Sequence, residues 1–320
     1  MRALITGING FVGGHLAEHL LANNWEVWGV GRQPRLALAP LRRRVAYLSY
    51  NLEQRPEAHT ALAQARPDAI FHLAGQAFVP RSFDDPAGTL ATNIFAQLNL
   101  LLALIELRLD ARVLVSGSNE EYGRILPEHL PVDESVPLAP VSPYAVSKVA
   151  QDLLALQYHH SHGVKAIRAR SFNHIGPRQD ARFAVASFAR QIARIEAGLQ
   201  PPTLHVGNLT ARRDFTDVRD MVRAYALAVE HGVPGEAYNI GSGQAVSLHA
   251  IVDTLLAQSR AAVEVVVDPA RFRPVDIPEV VCDATRFRAA TGWRPTISLD
   301  QTLRDILDDW RERVRSETDG

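Results

Sequence analysis

The loop Gly7-Ile8-Asn9-Gly10-Phe11-Val12-Gly13 constrains the fold of this chain more than any other feature. It follows an apolar run at 3–6 without a spacer and opens an amphipathic stretch at 11–22. Glycines at such a strand-to-helix junction have separate tasks. One makes the tight turn, one lets the backbone approach a pyrophosphate, and one lets the helix pack on the strand. A glycine triplet alone is a weak signal, because many tight turns bind nothing. Here it heads an alternating pattern, which strengthens it. Apolar runs at 3–6, 26–30, 45–49, 69–73 and 113–116 read as buried parallel strands, with a sixth at 164–170. Amphipathic stretches at 11–22, 58–65, 89–107 and 144–161 fall between them. The expected fold is α/β: a Rossmann-type doubly wound parallel sheet with helices on both faces.

After Phe172 the pattern loosens into loops rich in Gly, Pro and Arg, with helical stretches at 183–197, 217–230, 248–258 and 299–314. This predicts a smaller, discontinuous C-terminal lobe over the carboxyl ends of the strands, where open α/β sheets bind ligands. A length of 320 residues suits two unequal lobes. The expected division is 1–174 plus about 213–240 for the dinucleotide-binding domain, and about 175–212 plus 241–320 for the substrate lobe.

Composition narrows the function. A formal charge of −1 gives no electrostatic case for nucleic acid or a membrane surface. The single cysteine, Cys282, rules out an internal disulfide framework and a multi-cysteine metal site. The start M-R-A-L-I-T-G runs straight into a strand, so a signal peptide is not expected and a cytoplasmic location is. The longest apolar stretch, near 98–107, is interrupted by Asn99 and Glu106 and reads as too short to span a bilayer.

The run S-P-Y-A-V-S-K holds the clearest chemical signal, Tyr144 and Lys148. The chain has only two lysines, Lys148 and Lys165, against 32 arginines, so a Lys four residues after a Tyr stands out from the composition. On a helix that spacing puts both side chains on one face. An ammonium there favours the phenolate and draws the phenol pKa toward working pH. A compact ammonium is a different donor from the rigid fork of Arg. The bland alternative is an exposed helical pair with no task.

The end of the second strand bears on which nicotinamide is bound. NAD sites usually place an acid there for the ribose hydroxyls. Here Gly31 takes that place and Arg32 follows, which suits the 2′-phosphate of NADP. If Arg32 is merely solvated, the site accepts NAD as well.

With the Gly7–Gly13 loop, Ser116-Gly117-Ser118 closing the fifth strand, and Tyr144 with Lys148, the chain resembles the extended short-chain dehydrogenase/reductases over nearly its whole length. Three later segments are similar to the nucleotide-sugar enzymes of the GDP-mannose branch: S-F-N-H-I-G-P-R-Q at 171–179, V-G-N-L-T-A-R-R-D-F-T-D-V at 206–218 and R-P-V-D at 273–276. That branch comprises 4,6-dehydratases and the 4-keto-6-deoxymannose reductases that follow them. Segments 72–80, 172–177 and 213–220 look most like the reductases. GDP-mannose dehydratases tend to read G-x-T-G-Q-D-G in the cofactor loop, and this chain reads Gly10-Phe11-Val12-Gly13 instead.

The resemblance implies a catalytic trio of Ser118, Tyr144 and Lys148. Ser118 would bond the ketone oxygen while Tyr144 delivers the proton, and Lys148 would also reach the nicotinamide ribose. For Ser118 the plain alternative is a polar residue finishing a strand. Glu120 overlays the catalytic Glu of the dehydratases; reductases of the branch carry Glu there too, and an exposed loop carboxylate is the other reading. The implied cofactor contacts are Gly7, Asn9, Gly10, Phe11, Val12, Gly13, Arg32, Asn51, Leu52, Leu73, Ala74, Gly75, Asn93, Ser116, Tyr144, Lys148, His174 and Ile175. Asn51 departs from the Asp many relatives have near the adenine. On the substrate side, Arg213 and Arg273 match diphosphate-holding positions, where Arg suits phosphate as a fork. Asn173 matches a contact near sugar and phosphate, Asn208 one near the nucleotide, Asp276 an acceptor for ribose hydroxyls, and Arg190 a cation facing the nucleotide. His72 and His174 lack a second ligand at metal spacing, so no metal is expected.

The implied activity is NADPH-dependent reduction of the C4 ketone of GDP-4-keto-6-deoxy-D-mannose. A redox-neutral 4,6-dehydratase or 4-epimerase is the alternative. The two helices at 89–107 and 144–161 carry more leucines than one sheet-facing stripe needs, including Leu98, Leu101, Leu102, Leu153 and Leu156. The resemblance implies that they pair across a two-fold axis in a homodimer.

Overall fold

The computed structural model describes residues 1–272 and 277–318. The first half runs β1 (Arg2–Thr6), α1 (Phe11–Ala22), β2 (Glu26–Gly31), β3 (Val45–Ser49), α2 (Arg55–Ala65), β4 (Ala69–His72), α3 (Val79–Asp84), α4 (Pro86–Glu106), β5 (Arg112–Ser116), α5 (Pro143–His162) and β6 (Lys165–Ser171). Next come β7 (Asn173–Ile175), α6 (Ala184–Glu196), β8 (Thr203–Val206), β9 (Arg212–Asp217), α7 (Val218–His231) and β10 (Ala237–Ile240). The chain continues through β11 (Ala245–Ser247), α8 (Leu248–Ala257), β12 (Glu264–Val267), β13 (Glu279–Val280), α9 (Thr285–Thr291) and α10 (Leu299–Thr318).

Seven strands form one parallel sheet in the order β3-β2-β1-β4-β5-β6-β10. The period of two along β1 sorts its side chains between two cores. Ala3 and Ile5 pack with Leu16 and Leu20 of α1 and Met221 and Tyr225 of α7. Leu4 joins Leu62 of α2, Leu100 of α4 and Ile70 of β4 on the opposite face. Each such fully buried side chain contributes ~1.5–3 kcal/mol over its exposed state, and truncating Leu4 to Ala would cost ~2–5 kcal/mol. The strand order turns at β1, which has β2 on one side and β4 on the other. Ligands of open α/β sheets bind at such a switch point, beyond the carboxyl ends of the strands.

The seventh strand, β10, is absent from the sequence reading because Asn239 interrupts its apolar pattern. Asn239 is fully buried, yet it is satisfied: the Tyr122 hydroxyl donates to its Oδ1 at 2.6 Å, and its Nδ2 donates to the Val132 carbonyl at 2.9 Å. A second difference concerns the C-terminal stretch. Phe287 of α9 and Trp293 pack into the core that also holds Tyr225 and Tyr238, so this segment sits with the large sheet and not with the smaller lobe. The smaller lobe has its own core, where Phe188 and Ile192 of α6, Ile251 of α8 and Leu303, Ile306 and Trp310 of α10 meet Leu204 of β8. A four-stranded sheet over the crevice has β9 at its centre, antiparallel to β11 and parallel to β13 and β7.

Helix α4, at 21 residues, is long and apolar enough by composition to cross a bilayer, against the expectation from its interrupted sequence. Half of it is buried inside the fold, where it packs between α2 and α5 as a core helix does.

Candidate active site

Backbone geometry builds the cofactor cradle. Gly7 takes a φ of 70°, which favours glycine, and a Cβ on Gly13 would lie 2.5 Å from the Gly7 carbonyl oxygen. The N-cap of α1 is Gly10, which offers no side-chain cap to the first N–H groups of the helix. The first turn of α1 also lacks acidic residues, so these donors and the helix dipole suit a pyrophosphate. The opposite wall is the backbone after β4. Thr6 Oγ1 accepts from the N–H groups of Leu73 (3.1 Å) and Ala74 (3.0 Å), tying β1 to that wall. Asn93 is fully buried and pins the same loop to α5, accepting from Gln76 N at 2.7 Å and donating to Ser147 Oγ at 2.8 Å. Its amide is occupied by Gln76 and Ser147, and a Cβ on neighbouring Gly75 would fall 2.8 Å from Asn93 Oδ1.

Asn9 organises the segment that follows β2. Its Nδ2 donates to Gln33 Oε1 (3.1 Å) and Tyr47 Oη (3.2 Å), and its Oδ1 accepts from Ala37 N (2.8 Å). A Cβ at Gly31 would lie 3.1 Å from Tyr47 Oη and 3.2 Å from Gln33 Oε1, so a side chain there would be crowded. Arg32 is exposed and pairs with Glu53 at 3.5 Å. Arg35, also exposed, lies on the same loop; the sequence reading passed over it, although R-Q-P-R was its signal. Leu52 is buried, and Asn51 Oδ1 accepts from Glu53 N at 3.2 Å, so Asn51 shapes the turn beside the adenine end.

The three residues expected to be catalytic, Ser118, Tyr144 and Lys148, converge at the end of β5. Ser142 caps α5, accepting from Ala145 N at 3.1 Å, with Pro143 in the first turn, and this fixes Tyr144 one residue into the helix. Ser118 lies close enough to the Tyr144 hydroxyl to oppose the rise in its pKa, and Ser118 Oγ accepts from Glu120 N at 3.2 Å. Lys148 donates from Nζ to the Ser116 carbonyl at 2.8 Å and lies 5.9 Å from the Tyr144 ring. All three side chains are buried. Burial pushes the Lys148 pKa down to about 8 and raises the Tyr144 phenol above its ordinary value, with Glu120 and Glu121 adding to the rise. The expectation of a phenol drawn down by Lys148 is therefore corrected. The ammonium bonds the Ser116 carbonyl, and desolvation is the largest influence on the phenol.

The histidines have ordinary partners. His72 pairs through Nδ1 with Thr6 Oγ1 (3.0 Å) and through Nε2 with Gln151 (3.3 Å), and burial lowers its pKa to about 3. His174 pairs through Nδ1 with the Phe172 carbonyl and stacks on Phe11, with ring centroids 6.2 Å apart. The stack brings His174 and neighbouring Ile175 onto the cofactor loop. Among the described residues, no group of three or more His, Cys, Asp or Glu side chains is placed to hold a metal.

Two cavities lie outside the trio, one of them lined by its chain neighbours Asn119 and Ser142. Glu120, Asn119, Ser142, Phe83 and Arg213 line the nearer one. The other, about 510 Å³, lies beside α6 and is lined by Arg190, Arg194, Gln191, His205 and Arg271. Arg190 also sits 5.9 Å from the Trp310 ring. Asn173 carries a buried Oδ1 without a hydrogen-bond partner. Asn208 uses its Oδ1 on Thr210, accepting from N at 3.0 Å and Oγ1 at 2.8 Å, so it shapes its own loop. Arg213 donates to the Arg212 carbonyl at 2.9 Å. Arg273 and Asp276 lie outside the described residues.

A family model described as GDP-mannose 4,6 dehydratase matches residues 4–306. The chain belongs to that family. It is 40% identical to a GDP-6-deoxy-D-mannose reductase of Pseudomonas aeruginosa, with 99% of each chain covered. It is 29% identical to a GDP-mannose 4,6-dehydratase of Vibrio cholerae, covering 98% of this chain and 94% of the other. Among solved structures, RMD from Pseudomonas aeruginosa complexed with NADPH superposes with a TM-score of 0.85 at 37% identity, covering 98% of this chain and 100% of that one. A Thermus thermophilus UDP-glucose 4-epimerase complexed with NAD gives 0.87 at 30% identity, covering 97% and 99%.

One residue of this family member escaped sequence reasoning at the centre of the site. Glu121 is fully buried and accepts from the Ser118 N–H at 2.7 Å. The S-x-x-E spacing of a capping box, Ser118 to Glu121, was its signal.

Proposed function

We propose that this protein reduces the C4 ketone of GDP-4-keto-6-deoxy-D-mannose with NADPH, giving GDP-6-deoxy-D-mannose (GDP-D-rhamnose). The observation that carries this reading is the full-length 40% identity to a GDP-6-deoxy-D-mannose reductase, against 29% for a dehydratase. The geometry agrees chemically. Reduction adds a hydride to C4, which bound NADPH supplies, and a proton to the C4 oxygen. Tyr144 keeps its proton throughout the neutral range because burial raises its pKa, so the proton that the C4 oxygen needs is present on it, and Ser118 opposes that rise. Ser118 holds the phenol and bonds the same oxygen as charge develops. Lys148, anchored on the Ser116 carbonyl, places its positive charge beside the phenol ring. Arg213 in the nearer cavity suits the diphosphate, and Arg190 in the larger one suits the nucleotide. The spare Oδ1 of Asn173 suits a sugar hydroxyl.

The cradle supports NADP over NAD through the crowded space at Gly31 and the arginines at 32 and 35, while NAD stays sterically admissible. The active form is a homodimer. Phe95 (52% exposed), Val146 (45%) and Leu153 (49%) expose apolar surface on α4 and α5 that a second copy would cover. Leu101, expected on this face, is instead fully buried against the sheet, and Phe95 and Val146 take its place.

A dehydratase is the second reading, and Glu120 is the observation that favours it, since it lines the nearer cavity where a C5 base would stand. Glu120→Gln, assayed with both sugars, separates the two. A reductase loses only about tenfold in keto-sugar reduction, ~1.4 kcal/mol. A dehydratase loses GDP-mannose turnover by roughly 10²–10⁴-fold.

A further inference from the structure

Directly behind Ser118 stands a buried acid that this reaction scheme does not use. Glu121 ends the turn Asn119–Glu121 that follows β5. Its Oε1 accepts from the Ser118 N–H at 2.7 Å, while the Ser118 Oγ accepts from the Glu120 N–H at 3.2 Å. The reciprocal pair fixes both the backbone and the hydroxyl of Ser118. Gly117 makes room for it, since a Cβ there would fall 2.4 Å from Glu121 Oε1.

The other oxygen, Oε2, is buried without a hydrogen bond. Arg170 of β6 comes within 3.5 Å of it but is already engaged with Asp152 of α5, through Nε at 3.3 Å and Nη2 at 3.0 Å. Asp152 is further shared with Arg168 at 2.7 Å. The remaining cation acting on Glu121 is Lys148 of α5. A cap alone needs one acceptor oxygen, which an amide also offers. An ionisable acid kept under full burial with one oxygen unbonded is costly, and that argues for a use beyond the cap.

We propose that Glu121 is a positioning residue of this reaction: its Oε1 fixes Ser118 against Tyr144, and its charge, acting on Lys148, sets the pH range in which the trio works. The inference rests on the reading of Ser118, Tyr144 and Lys148 as the reacting groups. Burial and then Asp152 raise the Glu121 carboxyl to about 8, Arg170 and Lys148 oppose that rise, and burial lowers Lys148 to about 8 with Glu121 opposing. The other groups facing the pair are Glu120 of the same turn, Tyr144 and Asp152 of α5, Arg170 of β6, His72 of β4 and, beyond Tyr144, Tyr225 of α7.

The two-lysine composition makes the test direct. Protein labelled with ¹³C at lysine Cε gives two NMR signals, and the half-exposed Lys165 serves as internal reference. In Glu121→Gln the Lys148 signal should titrate lower by on the order of one pH unit while Lys165 stays. The pH profile of kcat for keto-sugar reduction should move with it, and KM should not. Glu121→Leu, which also removes the acceptor for Ser118, should show the same Lys148 shift and a further fall in kcat of about tenfold at the optimum. An unmoved Lys148 signal in a folded variant overturns the inference. Loss of the fold in both variants overturns it too, because Glu121 would then be structural. The titration needs no substrate, so a wild type inert toward the keto-sugar sinks the reductase reading while the Lys148 signal still decides this one.

Discussion

Lys148 is unfavourable to bury, and the penalty has a measurable pH signature. Burial pushes its pKa from 10.5 down to about 8, with Glu121 acting in the opposite sense. Between those two values the unfolded chain holds a proton on this lysine that the folded protein has released. Stability therefore rises as pH climbs from about 8 to 10.5, and below about 8 the buried charge destabilises the fold in full. Each pH unit in such a window is worth ~1.4 kcal/mol, so the whole of it carries about 3 kcal/mol. Lys148→Met has no proton to exchange here. It loses the hydrogen bond to the Ser116 carbonyl, which costs ~1 kcal/mol, and escapes the desolvation of the ammonium. At neutral pH the variant should be at least as stable as wild type, though inactive. Its advantage should shrink by about 3 kcal/mol as pH rises through the window. Urea unfolding of both proteins at a series of pH values measures this, and the difference cancels the tyrosines and Cys282, which titrate in both. A difference flat across the window would refute the picture of a charged, desolvated Lys148.

Arg32→Ala should weaken NADPH relative to NADH by ~1–3 kcal/mol, read by fluorescence titration, with little change in stability because its pair with Glu53 is exposed. Equal loss for both cofactors would count against a 2′-phosphate contact. Leu153→Glu puts a charge on the apolar face of α5, where Leu153 is 49% exposed, and should convert a dimer to a monomer by light scattering without unfolding it. A dimer unchanged in mass at micromolar concentration would place the interface elsewhere.

The sheet was legible because buried parallel strands read as short apolar runs; β1, β2, β3 and β5 lie within a residue of their expected ends. The strands around the crevice were not. Residues 212–217, R-R-D-F-T-D, carry no hydrophobic period, and Asp214 is buried because it gathers the N–H groups of Ser242, Gly243 and Cys282. Only tertiary hydrogen bonds make such a segment a strand. The Tyr144/Lys148 pair was legible from spacing, since four residues on a helix fix them relative to each other, while Ser118 was placed beside them only by the family resemblance. Their ionisation was not, because it depends on burial and on which atom the ammonium reaches. The role of Asn93 was likewise hidden, since its amide serves Gln76 and Ser147, and both contacts are long-range.

The central claim is a net reduction by a buried phenol, and the most direct test is a stoichiometric assay. Purified protein is mixed with GDP-4-keto-6-deoxy-D-mannose and NADPH, with Tyr144→Phe as the control. One NADPH should be oxidised per C4 alcohol formed, and kcat should fall roughly 10²–10⁴-fold in the control with cofactor binding retained. Turnover of GDP-mannose without net NADPH oxidation, or wild-type rates in Tyr144→Phe, would contradict it.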